Sequence, residues 1–172
     1  MKDANLPLVS VVIPCYNHAQ FVQETIQSVI DQDYENIELI IIDDGSKDNS
    51  VEMIQEMIPA CEERFVRFEF RARPNKGLSE TLNEALGWAE GEYFSAIASD
   101  DILMNHKTTK QVDYLDNNAD VAICCGGVDV VNGFGDFLYS LKKRGCTYSL
   151  SDVALFSYHM SAPTMMLRSR IL

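Results

Sequence analysis

The chain has 172 residues, 47% hydrophobic and 23% charged, which suits one globular domain with a real core and is too short for two comfortable ones. Its formal net charge of −12 argues against a nucleic-acid binder, which needs a basic face to replace counterions. The same field repels anions, so a phosphate-bearing ligand would need a metal ion or local donors to be held.

Leu8 to Pro14 (LVSVVIP) is a continuous apolar run of strand length, ended by proline. Val22, Ile26, Val29 and Ile30 follow at i, i+4, i+7 and i+8, the stripe of an amphipathic helix. Ile37 to Asp43 (IELIIID) reads as a second strand. SKDNSVEMIQEMI then predicts a helix with Asp48 or Ser50 as N-cap and Val51, Ile54 and Ile58 facing inward. RFVRFEF (Arg64 to Phe70) is a third strand. Leu78, Leu82, Ala85, Leu86 and Ala89 stripe a third helix, with Gly91 expected as its C-cap. EYFSAIAS (Glu92 to Ser99) is a fourth strand, and it ends on two adjacent carboxylates, Asp100 and Asp101. Beyond them the rhythm loosens into a helix from Lys107 to Asn117, a strand VAICCG (Val121 to Gly126), and glycine-punctuated segments that suggest hairpins.

Strand and helix alternate through the fourth strand, which predicts an α/β fold: a mostly parallel sheet with helices on both faces and right-handed crossovers. The N-terminus does not read as a signal peptide, because Pro7 and Pro14 interrupt its short apolar stretch. No run of about 18 apolar residues is present to span a membrane. Cys15, Cys61, Cys124, Cys125 and Cys146 form an odd set without C-x-x-C spacing, pointing to reduced thiols and a cytoplasmic setting. His18, His106 and His159 make no ligand pair.

In an open parallel sheet, ligands bind outside the carboxyl ends of the strands. Four polar clusters converge there: PCYNH (Pro14 to His18), DDGSKD (Asp43 to Asp48), RARPNKG (Arg71 to Gly77) and SDDI (Ser99 to Ile102). Singly, each has an ordinary explanation in turn formation or helix capping. Together at one edge, with two Asp-Asp pairs, they read as a site. Known nucleotide motifs fail on position: the first strand is not followed by G-x-G-x-x-G, and the chain has no G-x-x-x-x-G-K-[ST]. A phosphoacceptor receiver domain would carry its acidic pair after the first strand rather than the second. Two carboxylates across a cleft could also serve glycoside hydrolysis, which the sequence neither shows nor excludes.

VSVVIPCYNHAQFVQETIQSVIDQDYENIELIIIDDGSKDNS and NKGLSETLNEALGWAEGEYFSAIASDDIL, in this order, resemble the inverting glycosyltransferases of family 2, closely over Leu8 to Leu103 and weakly on to Arg168. The resemblance implies a GT-A fold over residues 1–172, with the nucleotide-sugar-binding part at 8–103 and the start of an acceptor-side part at 104–172. It implies transfer of a sugar from a UDP- or dTDP-type donor to a hydroxyl of a glycan or lipid-linked acceptor, with inversion, in polysaccharide biosynthesis. Tyr16 would stack on the base, with Pro14, Cys15 and Asn17 as the wall beside it. Asp44 would accept from the base N–H, and Asp43 would support that turn. On this reading Asp44→Ala costs about 1 kcal/mol or less, the scale of a surface-turn substitution. Lys76, Gly77 and Ser79 would lie near the diphosphate, with Asn83 helping to position their loop. Asp101 would be a ligand of Mn²⁺ or Mg²⁺, and Asp100 would face the ribose or sugar. Where many family members read D-x-D-D, this chain has Ala98-Ser99-Asp100-Asp101, one acidic ligand fewer.

The resemblance places the family's general base, a carboxylate, after Leu172, so this chain is expected to bind donor without transferring sugar. Pro163 to Leu172 is expected to lack its natural cover, leaving Met165, Met166 and Leu167 free for self-association. Peripheral attachment to the inner face of a membrane through further segments, and a homodimer, are both compatible with the family. Two alternatives stay open: a catalytically silent nucleotide-sugar-binding module, and a sugar-phosphate nucleotidyltransferase. The latter would want a glycine-rich basic loop where this chain has PCYNH.

Overall fold

The computed structural model describes residues 6–133, 135–141, 145–155 and 162–172; His159 lies outside them. Its elements are β1 (Val9–Cys15), α1 (Val22–Ile30), β2 (Ile37–Asp43), α2 (Ser50–Arg64), β3 (Arg67–Ala72), α3 (Leu78–Trp88), β4 (Tyr93–Ala96), α4 (Lys107–Asp116), β5 (Ile123–Cys124), β6 (Val128–Val131), β7 (Phe137–Leu141), α5 (Leu150–Ala154) and β8 (Met166–Arg168). The main sheet runs β3-β2-β1-β4-β8-β5, and β6 and β7 form a separate antiparallel hairpin. The first four strands are mutually parallel; β8 lies antiparallel between β4 and β5.

β1 and β2 read as apolar runs interrupted only near their starts, by Ser10 and Glu38, because both of their faces are covered. Val9, Val11, Ile13, Leu39 and Ile41 pack with Val22, Ile26, Val29 and Ile54 of α1 and α2 on one side. Val12, Ile40 and Ile42 pack with Ala85 and its neighbours on α3 on the other. Each fully buried aliphatic side chain contributes about 1.5–3 kcal/mol, so these two strands anchor the sheet. Proline is tolerated in the central strand because β1 outruns β4. The Val12 carbonyl accepts the Ile97 N–H, and Pro14 points the same way two residues on, past the paired stretch.

Four local expectations are revised. The inner stripe of α2 is Ile54 and Cys61 with Met53 and Met57 rather than Val51, Ile54 and Ile58, because α2 is turned to meet α1 and β3. The helix also starts from Asn49, without a side-chain capping bond. Gly91 is not the C-cap of α3, a place taken by Ala89. It is instead a point of close approach: a Cβ there would stand 2.6 Å from the Ser10 nitrogen, and its N–H donates to Ser10 Oγ and to the buried Glu38 carboxylate. Lastly, Met166 is fully buried rather than uncovered, because β8 pairs on both edges. Arg168 pins that strand from within, donating to the carbonyls of Leu115 and Val121 and to the Tyr93 hydroxyl.

Candidate functional site

The carboxyl ends of β1, β2 and β4 open onto a cleft of about 420 Å³. Its walls bring together Pro14, Cys15, Tyr16, Asp44 and Gly77, all expected at the site, with His18, Asn75, Leu78, Thr81, Ala98 and Ser99, which were not singled out. Tyr16 and Leu78 stay 43% and 61% exposed although both are large and apolar, so the cleft presents an aromatic face and an aliphatic one to a flat ligand. Cys15 is buried, and that burial raises its thiol pKa, keeping it neutral.

The D-D-G-S turn after β2 is held from inside. Asp43 accepts from the backbone N–H groups of Gly45 and Ser46 and from the Ser46 hydroxyl. Gly45 has φ +78, and a Cβ there would stand 2.6 Å from the Asn75 nitrogen, so this position requires glycine. Asn17, itself at φ 56, accepts the Lys47 N–H and donates its own N–H to Ser46 Oγ. It is exposed, does not line the cleft, and clips the β1 end to this turn.

Asp44 is the pivot between two loops. Its side chain is 7% exposed and pairs with Arg73, which is 8% exposed. It also accepts the Lys76 and Gly77 backbone N–H groups, each at 2.8 Å. Burial alone would raise its pKa, but those two amides and the Arg73 guanidinium outweigh burial and hold the carboxyl below the usual range. Arg73 is fixed in turn by Glu84 at 2.7 Å and Thr81 Oγ1 at 2.9 Å. Lys76 therefore serves the loop through its backbone, while its side chain and that of Ser79 are exposed outside the cleft wall. Asn83 is exposed on α3; Asp44, Arg73 and Thr81 position this loop instead. Arg73 was in view only as part of a basic cluster. The signal that could have found it is that a buried acid demands a partner.

The turn after β4 is built differently. Ser99 is buried and its hydroxyl lies 2.8 Å from His18 Nδ1, while Asp100 is 3.8 Å from the same nitrogen with 45% of its side chain exposed. Asp101 is half-buried, and burial, then the neighbouring Asp100 charge, raise its pKa despite an opposing effect of His18. Ala98 stands exposed at the cleft where a third carboxylate could have been. Among the described residues, no three His, Cys, Asp or Glu side chains cluster as a metal centre. The residue types suit a divalent cation in that two adjacent hard-oxygen donors, Asp100 and Asp101, follow the end of β4. Such a pair leaves most of the coordination shell to a ligand's own oxygens and to water.

A family model described as Glycosyl transferase family 2 matches residues 10–172. A relative from Haemophilus influenzae, named an uncharacterized glycosyltransferase, is 38% identical over 114 residues, 66% of this chain and 44% of its own length. Another, the uncharacterized glycosyltransferase RC0461 of Rickettsia conorii, is 36% identical over 137 residues, 78% of this chain and 22% of its own length. The chain thus spans less than half the length of either relative. Among solved structures, residues 1–349 of S. aureus TarS in complex with UDP superpose with a TM-score of 0.70 at 22% identity, over 96% of this chain and 48% of that one. The mannosyltransferase PcManGT from Pyrobaculum calidifontis, in complex with GDP-Man and Mn²⁺, gives 0.65 at 21% identity, over 72% of this chain and 36% of that one.

Proposed function

The chain belongs to glycosyl transferase family 2 and has the GT-A fold, and from that premise we propose that it carries the donor-binding side of a sugar transfer. The donor is a UDP- or dTDP-type sugar and the acceptor a hydroxyl of a glycan or lipid-linked molecule, attacked with inversion. Residues 8–103 bind the nucleotide sugar, and 104–172 begin the acceptor side of the same domain. The observation that carries this reading is the cleft itself, in which Tyr16, Asp44, Gly77 and Ser99 meet from four separate strand ends. The two fold neighbours support it by holding nucleotide ligands, UDP in one and GDP-Man with Mn²⁺ in the other.

In this reading the base stacks on Tyr16 along the wall of Pro14 and Cys15. Asp44 accepts from the base N–H, and Asn17 and Asp43 keep its turn in place. The open surface beside Gly77 admits the diphosphate, which the side chains of Lys76 and Ser79 can reach from the rim. Asp101, with Asp100 beside it, would hold Mn²⁺ or Mg²⁺, which when bound supplies the positive charge that a departing diphosphate needs. Asp100 faces the ribose or sugar, and His18 with Ser99 keeps the acidic turn aligned on the cleft.

Inversion requires a base within hydrogen-bond reach of the attacking hydroxyl. Among the described residues, the carboxylate that lines the cleft is Asp44, committed to Arg73 and two amides, and the Asp100–Asp101 pair follows Ser99 of its wall without lining it. With Asp44 committed and the Asp100–Asp101 pair assigned to the cation, neither is free for that task among the described residues, so in this reading the chain binds donor and transfers no sugar. The same observation favours a second reading, a silent nucleotide-sugar-binding module. Radiolabelled transfer to a panel of glycan acceptors tests both, at matched donor saturation, by this chain and by a longer form of the protein. Transfer by the longer form alone is the expected result. Efficient transfer by the 172-residue chain would overturn this assignment of the cleft's carboxylates. Donor binding without transfer by either form would leave the silent module.

A further inference from the structure

A carboxylate has two oxygens and room for about four hydrogen bonds, and three of those of Asp44 are spent inside the protein. Oδ1 accepts from Arg73 Nη1 and from the Lys76 N–H at 2.8 Å, which uses both of its positions. Oδ2 accepts the Gly77 N–H at 2.8 Å and, among the described residues, no other donor. Asp44 therefore brings a single remaining acceptor, on one oxygen, to the cleft wall.

Arg73 cannot swing away to release Oδ1. Its Nε donates to Glu84 at 2.7 Å, its Nη2 to Thr81 Oγ1 at 2.9 Å, and its Nη1 also to the Pro74 carbonyl at 3.0 Å. Thr81 donates onward to the Gly77 carbonyl at 3.0 Å, so the guanidinium and the two amides that hold Asp44 form one assembly. Elsewhere a bound arginine would only neutralise the acid. Here it also fixes how many hydrogen bonds the acid can still take.

Nucleobases differ in what they present to such a group. Uracil and thymine offer one ring N–H, which a single acceptor satisfies. Guanine offers a ring N–H and an exocyclic amino N–H side by side, a pair that matches both oxygens of an uncommitted carboxylate. Against Asp44 the second of these donors would be desolvated with no partner, the costlier way to lose a hydrogen bond. We propose that Arg73 is a specificity-determining residue: by occupying Oδ1 of Asp44 it leaves one acceptor and selects uracil or thymine over guanine. It works through Asp44, as a positioning residue. This rests on reading the cleft as a nucleotide-sugar site.

The test is calorimetric titration of UDP, GDP and inosine diphosphate with Mn²⁺ present. Inosine diphosphate keeps the ring N–H of guanine and lacks its amino group. UDP is expected to bind at least about tenfold tighter than GDP, the effect of one unmet hydrogen bond. Inosine diphosphate should bind as well as GDP or better, since the amino group finds no acceptor. If it binds about tenfold more weakly than GDP, both guanine donors are being read and the proposal is overturned. The second arm is Arg73→Met combined with Glu84→Gln, which removes the guanidinium together with the charge of the carboxylate that fixes it. It should lower the UDP-to-GDP preference about tenfold, with GDP gaining affinity in absolute terms. A loosened loop weakens both nucleotides alike, so equal weakening or an unchanged preference overturns the role of Arg73. The inosine comparison uses the native chain and stands even if the double variant does not fold. Failure of the native chain to bind any of the three would overturn the donor-site reading itself, whereas equal binding of UDP and GDP would overturn only the inference about Arg73.

Discussion

The two Asp-Asp pairs at the strand ends have the same composition and opposite electrostatics. After β2, Asp43 and Asp44 are both buried and each is held by three hydrogen bonds from protein donors, and the pKa of Asp44 is lowered. After β4, Asp100 is exposed, Asp101 is half-buried, and the pKa of Asp101 is raised. The difference lies in what each turn is packed against. The first faces the α3 entry loop, which supplies amides and a guanidinium; the second has one histidine nearby, with Asp100 largely open to solvent. A finished network suits recognition of a fixed shape. An unfinished one suits a ligand that brings its own charge.

The sharpest way to break this comparison is to remove the acid from the finished turn. Asp44→Ala leaves Arg73 to Glu84 alone and deprives the Lys76 and Gly77 N–H groups of their acceptor, and each buried donor left unmet costs about 1–3 kcal/mol. That exceeds the cost expected from the sequence, which read Asp44 as part of a surface turn. Urea denaturation should show the loss, and nucleotide binding should vanish from the folded fraction. A loss under about 1 kcal/mol would mean that the turn is less committed than its hydrogen bonds suggest.

The unfinished turn should respond in the other sense. Asp101→Asn removes a carboxylate that folding disfavours, so it should leave stability at pH 7 unchanged or slightly higher. The pH dependence carries the sign. A folded pKa raised above the unfolded value penalises the ionised native state; the penalty shrinks as pH falls through the raised value and is gone below the unfolded one. Any advantage of the variant should therefore close by about pH 4. For Asp44 the depressed pKa works the opposite way: its stabilisation is present above the unfolded value and is lost as pH falls through the folded one. In ligand binding, Mn²⁺ should tighten UDP about tenfold over a chelator for the native chain, and not for Asp101→Asn. Equal UDP affinity under all four conditions would remove the metal role.

What was legible in the sequence follows the same division between local and long-range order. β2 was read to the residue and α1 by its stripe, because burial on both faces of a strand and one face of a helix writes a period into the chain. β8 was not read. It is three residues long, and its place depends on partners more than 40 residues away, Ile123 among them. The α2 stripe was misread because two stripes share Ile54 and only contact with α1 chooses between them. At the site, residue types were informative and their commitments were not. Asp44 could be named as a binding residue, but its bond to Arg73 spans 29 positions and leaves no local trace. Asn17 and Lys76 were named for ligand contact, whereas Asn17 and the Lys76 backbone are engaged in holding the loops.

The smallest effect is expected at His18, and it is the one that sharpens the comparison most. His18 is half-buried, its Nδ1 lies 2.8 Å from Ser99 Oγ and 3.8 Å from Asp100, and its backbone N–H donates to Ser50 Oγ at 2.9 Å. The backbone bond survives substitution, so His18→Ala removes one side-chain hydrogen bond, worth about 1 kcal/mol. The cost to global stability should stay near that figure, far below that of Asp44→Ala. The consequence for binding should be selective. Without the imidazole, the Ser99–Asp100 turn keeps only its Ser99 contact to Cys15 at the end of β1, and Asp100 loses its neighbouring donor. UDP affinity with Mn²⁺ should then fall a few-fold, while affinity measured with a chelator stays the same, because the turn at Asp44, proposed to read the base, is untouched. If both affinities fell together, His18 would belong to the nucleotide wall shared by the two turns. The division between a finished turn that reads the base and an unfinished turn that awaits a cation would then fail at the residue that joins them.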